Sequence, residues 1–306
     1  MNARTKFGRA HGLSMSFKTL QLEKDAGIAI ITFNRPEKVN AMNPQLHEDM
    51  FSILELLRYD DAVRVIVITG AGKSFSAGMD LREVFYDLKD RPADYDRIIR
   101  IATEWRGRTL RYYPKPTIAM VNGYCFGGAF SILEGCDLAT AADEATFGLS
   151  EINFKGFPGG SVSKSLANLL HPRDALLYAM TGRRFGGQVA AQIGLVNFSV
   201  PLAKLRDETL ALAREIALKD PHALRATKEA YRYALQMSWD ASVSYTWAKE
   251  AELQFAQEAS WKEAGVGDFL AGHFKPGLEG YNIVKANKAG KVKKVRKKLR
   301  AAAARV

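Results

Sequence analysis

The sequence predicts an α/β fold, in which strand–helix–strand units are followed by a helical C-terminal region. Three short runs, at residues 63–69, 117–121 and 136–141, are rich in apolar β-branched or small residues and alternate with segments of helical character. Such runs are typical of strands covered on both faces. Their alternation with helices indicates a largely parallel sheet with right-handed crossovers.

The first elements are predicted from turn and cap residues. Residues 18–23 and 28–33 flank the turn Asp25-Ala26-Gly27, which predicts a two-stranded hairpin. Asn43 is a good N-cap and is followed by proline, the residue favoured at the first helical position. A helix over 44–58 is therefore expected, and its apolar residues recur at helical spacing.

The second half of the chain is dominated by helical patterns. After Phe147, alanine and charged residues predominate, and the only strand signal lies at about 197–200. No solenoid or propeller repeat is visible at the level of sequence. Helices are predicted near 173–181, 187–193, 202–219, 222–236, 240–259 and 262–271.

Charge divides the chain into a neutral body and a basic tail. The formal charge is +11, but residues 281–306 contain ten lysines or arginines and no acid, which leaves 34 basic and 33 acidic residues elsewhere. We predict a flexible leader at 1–16, an α/β core at 17–200, a helical region at 201–280 and a disordered tail at 281–306. The charge of the tail leaves nucleic acid, anionic lipid or an acidic partner open as alternatives.

Other features exclude several classes of protein. The N-terminal residues contain no apolar stretch long enough for a signal peptide or a membrane span. Cys125 and Cys136 cannot form a disulfide framework, so a reducing, cytoplasmic compartment is expected. The histidines, which are scattered without the spacing of metal ligands, predict no metal site; they are His11, His47, His171, His222 and His273.

Three glycine-bearing turns are the candidates for chemistry. They lie at 76–81, 122–129 and 147–152, the first two after predicted strands. Turns of this kind expose backbone N–H groups, and a following helix adds the positive end of its dipole. Two such N–H groups directed at one point form an oxyanion hole. Spacing alone leaves phosphate binding and a purely structural turn as alternatives.

Four ordered motifs carry a resemblance to a known family. They are NRPEKVNAM at 34–42, AGMDL at 77–81, KPTIAMVNGYCFGG at 115–128 and ATFGLSEI at 145–152. Together they resemble the crotonase (enoyl-CoA hydratase) superfamily, from about residue 17 to about 280. MTG at 180–182, GLVN at 194–197 and the closing KPGL are more similar to the hydroxycinnamoyl-CoA (feruloyl-CoA) hydratase-lyases.

This resemblance implies a core of stacked ββα units and an assembly of three or six copies. It also implies that coenzyme A enters as part of an acyl-CoA substrate and that no other cofactor is needed. The N–H groups of Met79 and Gly128 correspond to the oxyanion hole, and Glu151 corresponds to a catalytic acid–base. Ser131 stands where typical hydratases have a second glutamate.

The resemblance also assigns the substrate path. Lys38 and Ala41, together with Ala77, correspond to the lining of the coenzyme A path. Two tyrosines hold the ring hydroxyl in the hydratase-lyases. Here Val84 occupies the first of those places, with Tyr86 two residues later, and Trp247 occupies the second, with Tyr245 two residues earlier. Tyr86, Tyr245 and Trp247 are therefore the substrate-binding candidates.

Two further residues have an ordinary structural interpretation. Glu134 lies one helical turn after Ser131 and is expected to have a surface or ion-pair role. Cys125 lacks a histidine base and is expected to be a buried structural cysteine.

Three functions are weighed for the chain. The favoured one is hydration of an α,β-unsaturated, aryl acyl-CoA, followed by retro-aldol cleavage. The alternatives are hydration of aliphatic or alicyclic enoyl-CoA without cleavage, and nucleic-acid binding through the basic tail.

Overall fold

The computed structural model describes residues 17–258 and 265–272. The predicted leader at 1–16, the basic tail at 281–306 and part of the last predicted helix lie outside the described residues. None of the described helices combines the length and apolar character needed to cross a membrane.

The described strands form a six-stranded and a four-stranded sheet. The larger sheet has the order β1-β2-β3-β5-β7-β10 and is parallel except for the β1–β2 hairpin, and the smaller has the order β4-β6-β8-β9. The strands are β1 (Leu20–Asp25), β2 (Ile28–Phe33), β3 (Val65–Gly70), β4 (Ser74–Ser76), β5 (Thr117–Val121), β6 (Tyr124–Phe126), β7 (Leu138–Ala142), β8 (Thr146–Gly148), β9 (Phe185–Gly186) and β10 (Phe198–Val200).

The described helices follow the predicted pattern, with Val162–Leu169 as an addition in the second half of the chain. They are α1 (Pro44–Arg58), α2 (Pro92–Thr103), α3 (Phe130–Gly135), α4 (Val162–Leu169), α5 (Pro172–Thr181), α6 (Gly187–Gln192), α7 (Leu202–Ala217), α8 (Pro221–Ala234), α9 (Trp239–Ala256) and α10 (Gly267–Leu270). Two π-helical segments, Leu81–Tyr86 and Glu104–Thr109, flank α2.

A long strand, a short strand and a helix recur three times. The successive units are β3-β4-α2, β5-β6-α3 and β7-β8-α4. The stacked ββα core implied by the resemblance is therefore confirmed. The repeat escaped the sequence because the second strand of each unit has only three residues, which is too short for a period-two pattern to emerge.

The predicted covered strands and the first helix are confirmed. Every residue of β3 and of β5 is buried, as expected for a sheet with helices on both faces. The Asn43 side chain accepts a hydrogen bond from the backbone N–H of Leu46 at 3.0 Å, so it caps α1 as predicted.

The C-terminal helices differ in how much they bury. Helix α7 packs Leu205, Leu210 and Ala213 into the main core. Helix α9 buries none of its residues within the described chain, and Trp239, Trp247 and Phe255 on it are exposed. An 18-residue helix with three exposed large aromatic rings leaves an apolar surface uncovered.

Charged side chains between α3 and α8 form what we call the α3–α8 ion-pair network. Glu134, only 2% exposed, is paired with Arg111 and with Arg232, whose guanidinium lies 3.4 Å from it. Asp137 is paired with Lys228 at 2.8 Å and with Arg232 at 3.8 Å. The ion-pair role predicted for Glu134 is confirmed. Cys125 is free and buried, also as predicted.

Candidate active site

The three glycine-bearing turns meet at one edge of the smaller sheet. Strands β4, β6 and β8 are parallel neighbours, with Ser76 opposite Cys125 and Phe126 opposite Gly148. Because parallel strands end at the same edge, the turns that follow them are brought together. Each segment predicted as a glycine-bearing turn contains the end of one of these short strands, and 122–129 includes all of β6. The register of the short strands explains why the segments converge.

The first turn requires glycine at position 78. Gly78 has φ +88°, and a Cβ added there would lie 2.7 Å from the carbonyl oxygen of Phe126 and 3.1 Å from the backbone nitrogen of Gly128. Met42 forms a parallel bridge to Met79, using the carbonyl of Gly78 and the N–H of Asp80. In this bridge the N–H of Met79 is not used and is directed away from Met42.

The second turn brings two glycines against the other two turns. Gly127 has φ +49°, and a Cβ on it would lie 2.8 Å from the Oε1 atom of Glu151. A Cβ on Gly128 would lie 3.3 Å from the Cγ atom of Met79. Only glycine permits both the conformation and these approaches, so the backbone itself forms this wall of the site.

Glu151 is the acidic group at this junction. Its side chain is half-buried, and its Oε2 atom is buried without a hydrogen-bond partner among the described residues. Burial raises the pKa of Glu151 above that of an ordinary glutamate, against a smaller opposing effect of its own backbone hydrogen bond. A carboxyl group with a raised pKa and a free oxygen is suited to acid–base catalysis.

A cavity of about 400 Å³ opens at the same place. Its floor is formed by the turns that contain Ala77, Met79, Gly128 and Glu151. The remaining wall is mostly apolar and comes from the first π-helical segment, α2 and the loop before α4; it includes Leu81, Phe85, Tyr95, Ile99, Thr103, Phe154 and Phe157. An apolar cavity with a few convergent polar groups is the usual form of a small-molecule site.

Ser131 lies behind the cavity and does not line it. It is fully buried on α3, and the hydroxyl of Ser161 donates a hydrogen bond to its oxygen at 2.8 Å. Ser161 is the member of this pair that lines the cavity. The place of a second glutamate is thus occupied by a pair of hydroxyls, of which the sequence prediction named only the buried one.

The segment containing Lys38 and Ala41 is attached to the first turn. The N–H of Ala77 donates to the carbonyl of Val39 at 3.0 Å. Ala77 lines the cavity, whereas Lys38 is exposed and does not line it. The segment is held by Arg35, which is buried, is paired with Asp80 at 3.1 Å and also donates to the carbonyl of Ala41.

The three aromatic residues predicted to bind the aromatic ring of the substrate do not line the cavity of this chain. Tyr86 is 66% exposed and its ring lies under the Nζ atom of Lys89; Phe85 lines the cavity instead. The cause is the π-helical turn, which buries Val84 and directs adjacent side chains differently from an α-helix. Tyr245 packs on Tyr233, and Trp247 is 73% exposed on α9.

Several residues of the cavity wall were missed from the sequence, among them Phe85, Tyr95, Arg106 and Ser161. The part of the cavity wall that comes from α2 could have been found from residue spacing in the sequence. Tyr95, Ile99 and Thr103 recur every four residues, so they share one face of α2. The guanidinium of Arg106 continues that face and donates to the carbonyl of Gly128 at 2.9 Å.

The site therefore brings the backbone of Met79 and Gly128 together with a carboxyl group of raised pKa, at the floor of an apolar cavity. Such a combination suits enzymes that move protons next to a carbonyl oxygen that becomes negatively charged. The fold and the site together define an α/β enzyme of acid–base chemistry.

Comparisons with known proteins give the family. The enoyl-CoA hydratase/isomerase family profile matches residues 23–270. The hydroxycinnamoyl-CoA hydratase-lyase of Pseudomonas fluorescens is 48% identical over 267 residues, which is 87% of this chain and 97% of that protein. The chain belongs to the enoyl-CoA hydratase/isomerase family and is a crotonase-type lyase.

Solved structures agree with this assignment. An enoyl-CoA hydratase from Mycobacterium smegmatis superposes with a TM-score of 0.76 at 26% identity, covering 83% of this chain and 96% of that one. An enoyl-CoA hydratase from Polaromonas sp. JS666 gives 0.74 at 28% identity, with 82% and 96% covered.

Proposed function

We propose that the protein hydrates an α,β-unsaturated aryl acyl-CoA of the hydroxycinnamoyl type and then cleaves the product to an aromatic aldehyde and acetyl-CoA. The observation that carries this proposal is the half-buried Glu151, with its raised pKa and unpartnered oxygen, beside the turns of Met79 and Gly128. The similarity to the hydroxycinnamoyl-CoA hydratase-lyase supports the substrate class.

Hydration uses the two ends of the site together. The thioester oxygen accepts hydrogen bonds from the N–H groups of Met79 and Gly128, which stabilise the enolate that forms when oxygen adds to the β-carbon. Glu151 takes a proton from the attacking water and gives it to the α-carbon. The product is a β-hydroxyacyl-CoA.

The cleavage step reverses the use of the same carboxyl group. Glu151, again ionised, removes the proton of the β-hydroxyl, and the bond between the α- and β-carbons breaks. The β-carbon leaves as the aldehyde, and the electron pair remains on the thioester as an enolate. Protonation of the α-carbon by Glu151 then gives acetyl-CoA, so atoms and charge balance without a further cofactor or metal.

Incubation with feruloyl-CoA and with crotonyl-CoA tests the proposal. The expected result is aldehyde and acetyl-CoA from feruloyl-CoA, identified by mass, with little turnover of crotonyl-CoA. Hydration of both thioesters without any aldehyde would instead establish a hydratase that lacks the cleavage step. The replacement of the first expected tyrosine by the buried Val84 is the observation that favours this second candidate.

We further propose that three or six copies assemble and act in the cytoplasm. The uncovered aromatic residues of α9 support the assembly, because a neighbouring copy would remove them from water. Association would also give Tyr245 and Trp247 a way to contribute to another copy's cavity. Light scattering should give a mass three or six times that of one chain, and Trp247→Asp should lower it.

A further inference from the structure

Arg106 is a buried cation in the wall of the catalytic cavity. Arg106 is 6% exposed. Its Nε atom donates to the carbonyl of Ala102 at 2.9 Å, and its Nη1 atom donates to the carbonyl of Gly128 at 2.9 Å. Both acceptors are neutral. The guanidinium has five N–H donors, so these two bonds leave part of it available to the cavity that it lines.

The charge of Arg106 is not balanced by the described protein. No carboxylate oxygen of residues 17–258 or 265–272 lies within 4 Å of it. The other buried arginines of this part of the chain have such partners: Arg35 pairs with Asp80, and Arg232 pairs with Glu134. Burial lowers the pKa of Arg106 to about 10, which still leaves it charged at neutral pH.

The side chains behind Arg106 are neutral and do not compensate its positive charge. His47 lies behind it, where burial first and the charge of Arg106 second lower the pKa of His47 well below its usual value, so the imidazole stays neutral. The N–H of Trp105 donates to the Nδ1 atom of His47 at 3.0 Å. A buried charge with only neutral partners is costly, so we infer that a negative charge is supplied from outside the described residues.

This inference rests on the proposed function, in which a negative charge forms on the substrate during the reaction. The thioester oxygen becomes negative beside Gly128, and Arg106 holds the carbonyl of that residue. We propose that Arg106 is a positioning residue that fixes Gly128 through its carbonyl and whose positive charge stabilises the enolate oxyanion. The protein thus adds a full cation to the two main-chain donors.

The experiment compares Arg106→Gln, which removes the charge, with Arg106→Lys, which keeps it. Arg100→Gln, at an exposed arginine of α2, is the matched control. Two quantities are measured: the steady-state rate with feruloyl-CoA, and the red shift of the absorption band of bound cinnamoyl-CoA. The red shift reports polarisation of the thioester carbonyl in the ground state, so it is informative even if turnover is absent.

We expect Arg106→Gln to lower kcat by about 10–100-fold, as for the loss of one oxyanion donor or less, with KM changed by less than threefold. The red shift should shrink in Arg106→Gln, be largely restored in Arg106→Lys and be unchanged in Arg100→Gln. An unchanged rate and red shift in Arg106→Gln would overturn the proposal. Equal losses of rate and of melting temperature in Gln and Lys variants, with the red shift intact, would show a structural role only and would also overturn it.

Two further outcomes separate this inference from the proposed function. If the wild type fails to turn over feruloyl-CoA or crotonyl-CoA but the red shift depends on Arg106 as expected, the proposed function fails and the electrostatic role stands. If Arg106→Gln raises KM only for acyl groups that carry a carboxylate, Arg106 recognises the acyl group, and the oxyanion role is wrong.

Discussion

The α3–α8 ion-pair network and the catalytic cavity both hold charged groups away from water, but they do so in opposite ways. In the network, Glu134 and Asp137 are each within 4 Å of two cationic side chains. In the cavity, as far as residues 17–258 and 265–272 show, Glu151 has an unpartnered oxygen and Arg106 donates only to carbonyls. A buried pair is costly to break because one charge is left uncompensated, whereas an unpaired buried charge is available to a ligand. Partners, more than burial, therefore distinguish Glu151, the proposed acid–base, from Glu134.

The largest effect expected from this comparison is on Glu151. Glu151→Gln keeps the shape of the side chain but cannot transfer protons, so hydration should slow by about 10³–10⁴-fold. Because no ion pair is lost, the melting temperature should not fall. Stopped-flow absorbance with feruloyl-CoA measures the rate. A variant within tenfold of the wild type would show that Glu151 is not the acid–base.

Glu134→Gln is the matched substitution in the network, and it should have the opposite profile. Glu134→Gln leaves Arg111 without its carboxylate and Arg232 with only Asp137, and removing one member of a buried pair costs about 3–5 kcal/mol. The melting temperature should therefore drop clearly, while the folded fraction retains the wild-type turnover. A large loss of turnover at full stability would mean that the ion-pair network belongs to the active site.

The second effect concerns the glycine that contacts the catalytic carboxyl. Gly127→Ala would place a methyl group 2.8 Å from the Oε1 atom of Glu151, and displacing a catalytic group by about 1 Å can cost about 10²-fold in rate. Gly194 also has a positive φ, of +79°, but no atom lies within 4 Å of its added Cβ. Both alanine variants should lose roughly 1 kcal/mol of stability, and only Gly127→Ala should lose activity. Equal activities would show that Glu151 tolerates the displacement.

Much of the fold and of this site could be predicted from the sequence, for identifiable reasons. Strand β5 and helix α1 have strong local signals, in the first case a buried apolar run and in the second an Asn-Pro start. The turns of Met79, Gly128 and Glu151 are marked by ordered motifs. Each of these features is local, so neighbouring residues suffice to reveal it.

The residues that were missed depend on tertiary structure. That Arg106 has no carboxylate partner among the described residues could be recognised only from the positions of their side chains. The sequence predicts Tyr86 because it is the tyrosine two residues after Val84, but the π-helical turn places Phe85 in the cavity wall instead. The three-residue strands that align the turns have no periodicity of their own.

The third effect concerns recognition of the acyl group by the apolar wall of the cavity. Phe85 lines the cavity and packs against Tyr95 with their ring centroids 6.1 Å apart. Phe85→Ala removes apolar contact area worth about 1–2 kcal/mol, so kcat/KM for feruloyl-CoA should fall about 5–30-fold and that for crotonyl-CoA much less. Tyr86→Ala, next along the chain and exposed, is the control and should change neither. A larger loss of kcat/KM in Tyr86→Ala than in Phe85→Ala would show that Tyr86 binds the aromatic ring after all.

The smallest effect is a shift in the pH dependence of kcat/KM, which follows from the burial of Glu151. Its pKa is raised in the folded protein, so the acidic limb of kcat/KM should have its midpoint above 4.5, the usual value for glutamate. A raised folded pKa also means that protonation favours the folded state: the stabilising contribution is present below the unfolded pKa and is lost as pH rises through the folded one. The melting temperature of Glu151→Gln relative to wild type should therefore be higher at pH 8 than at pH 4. A difference in melting temperature that is constant with pH would mean that water or a bound group solvates this carboxylate, and the contrast with the paired Glu134 would then lose its basis.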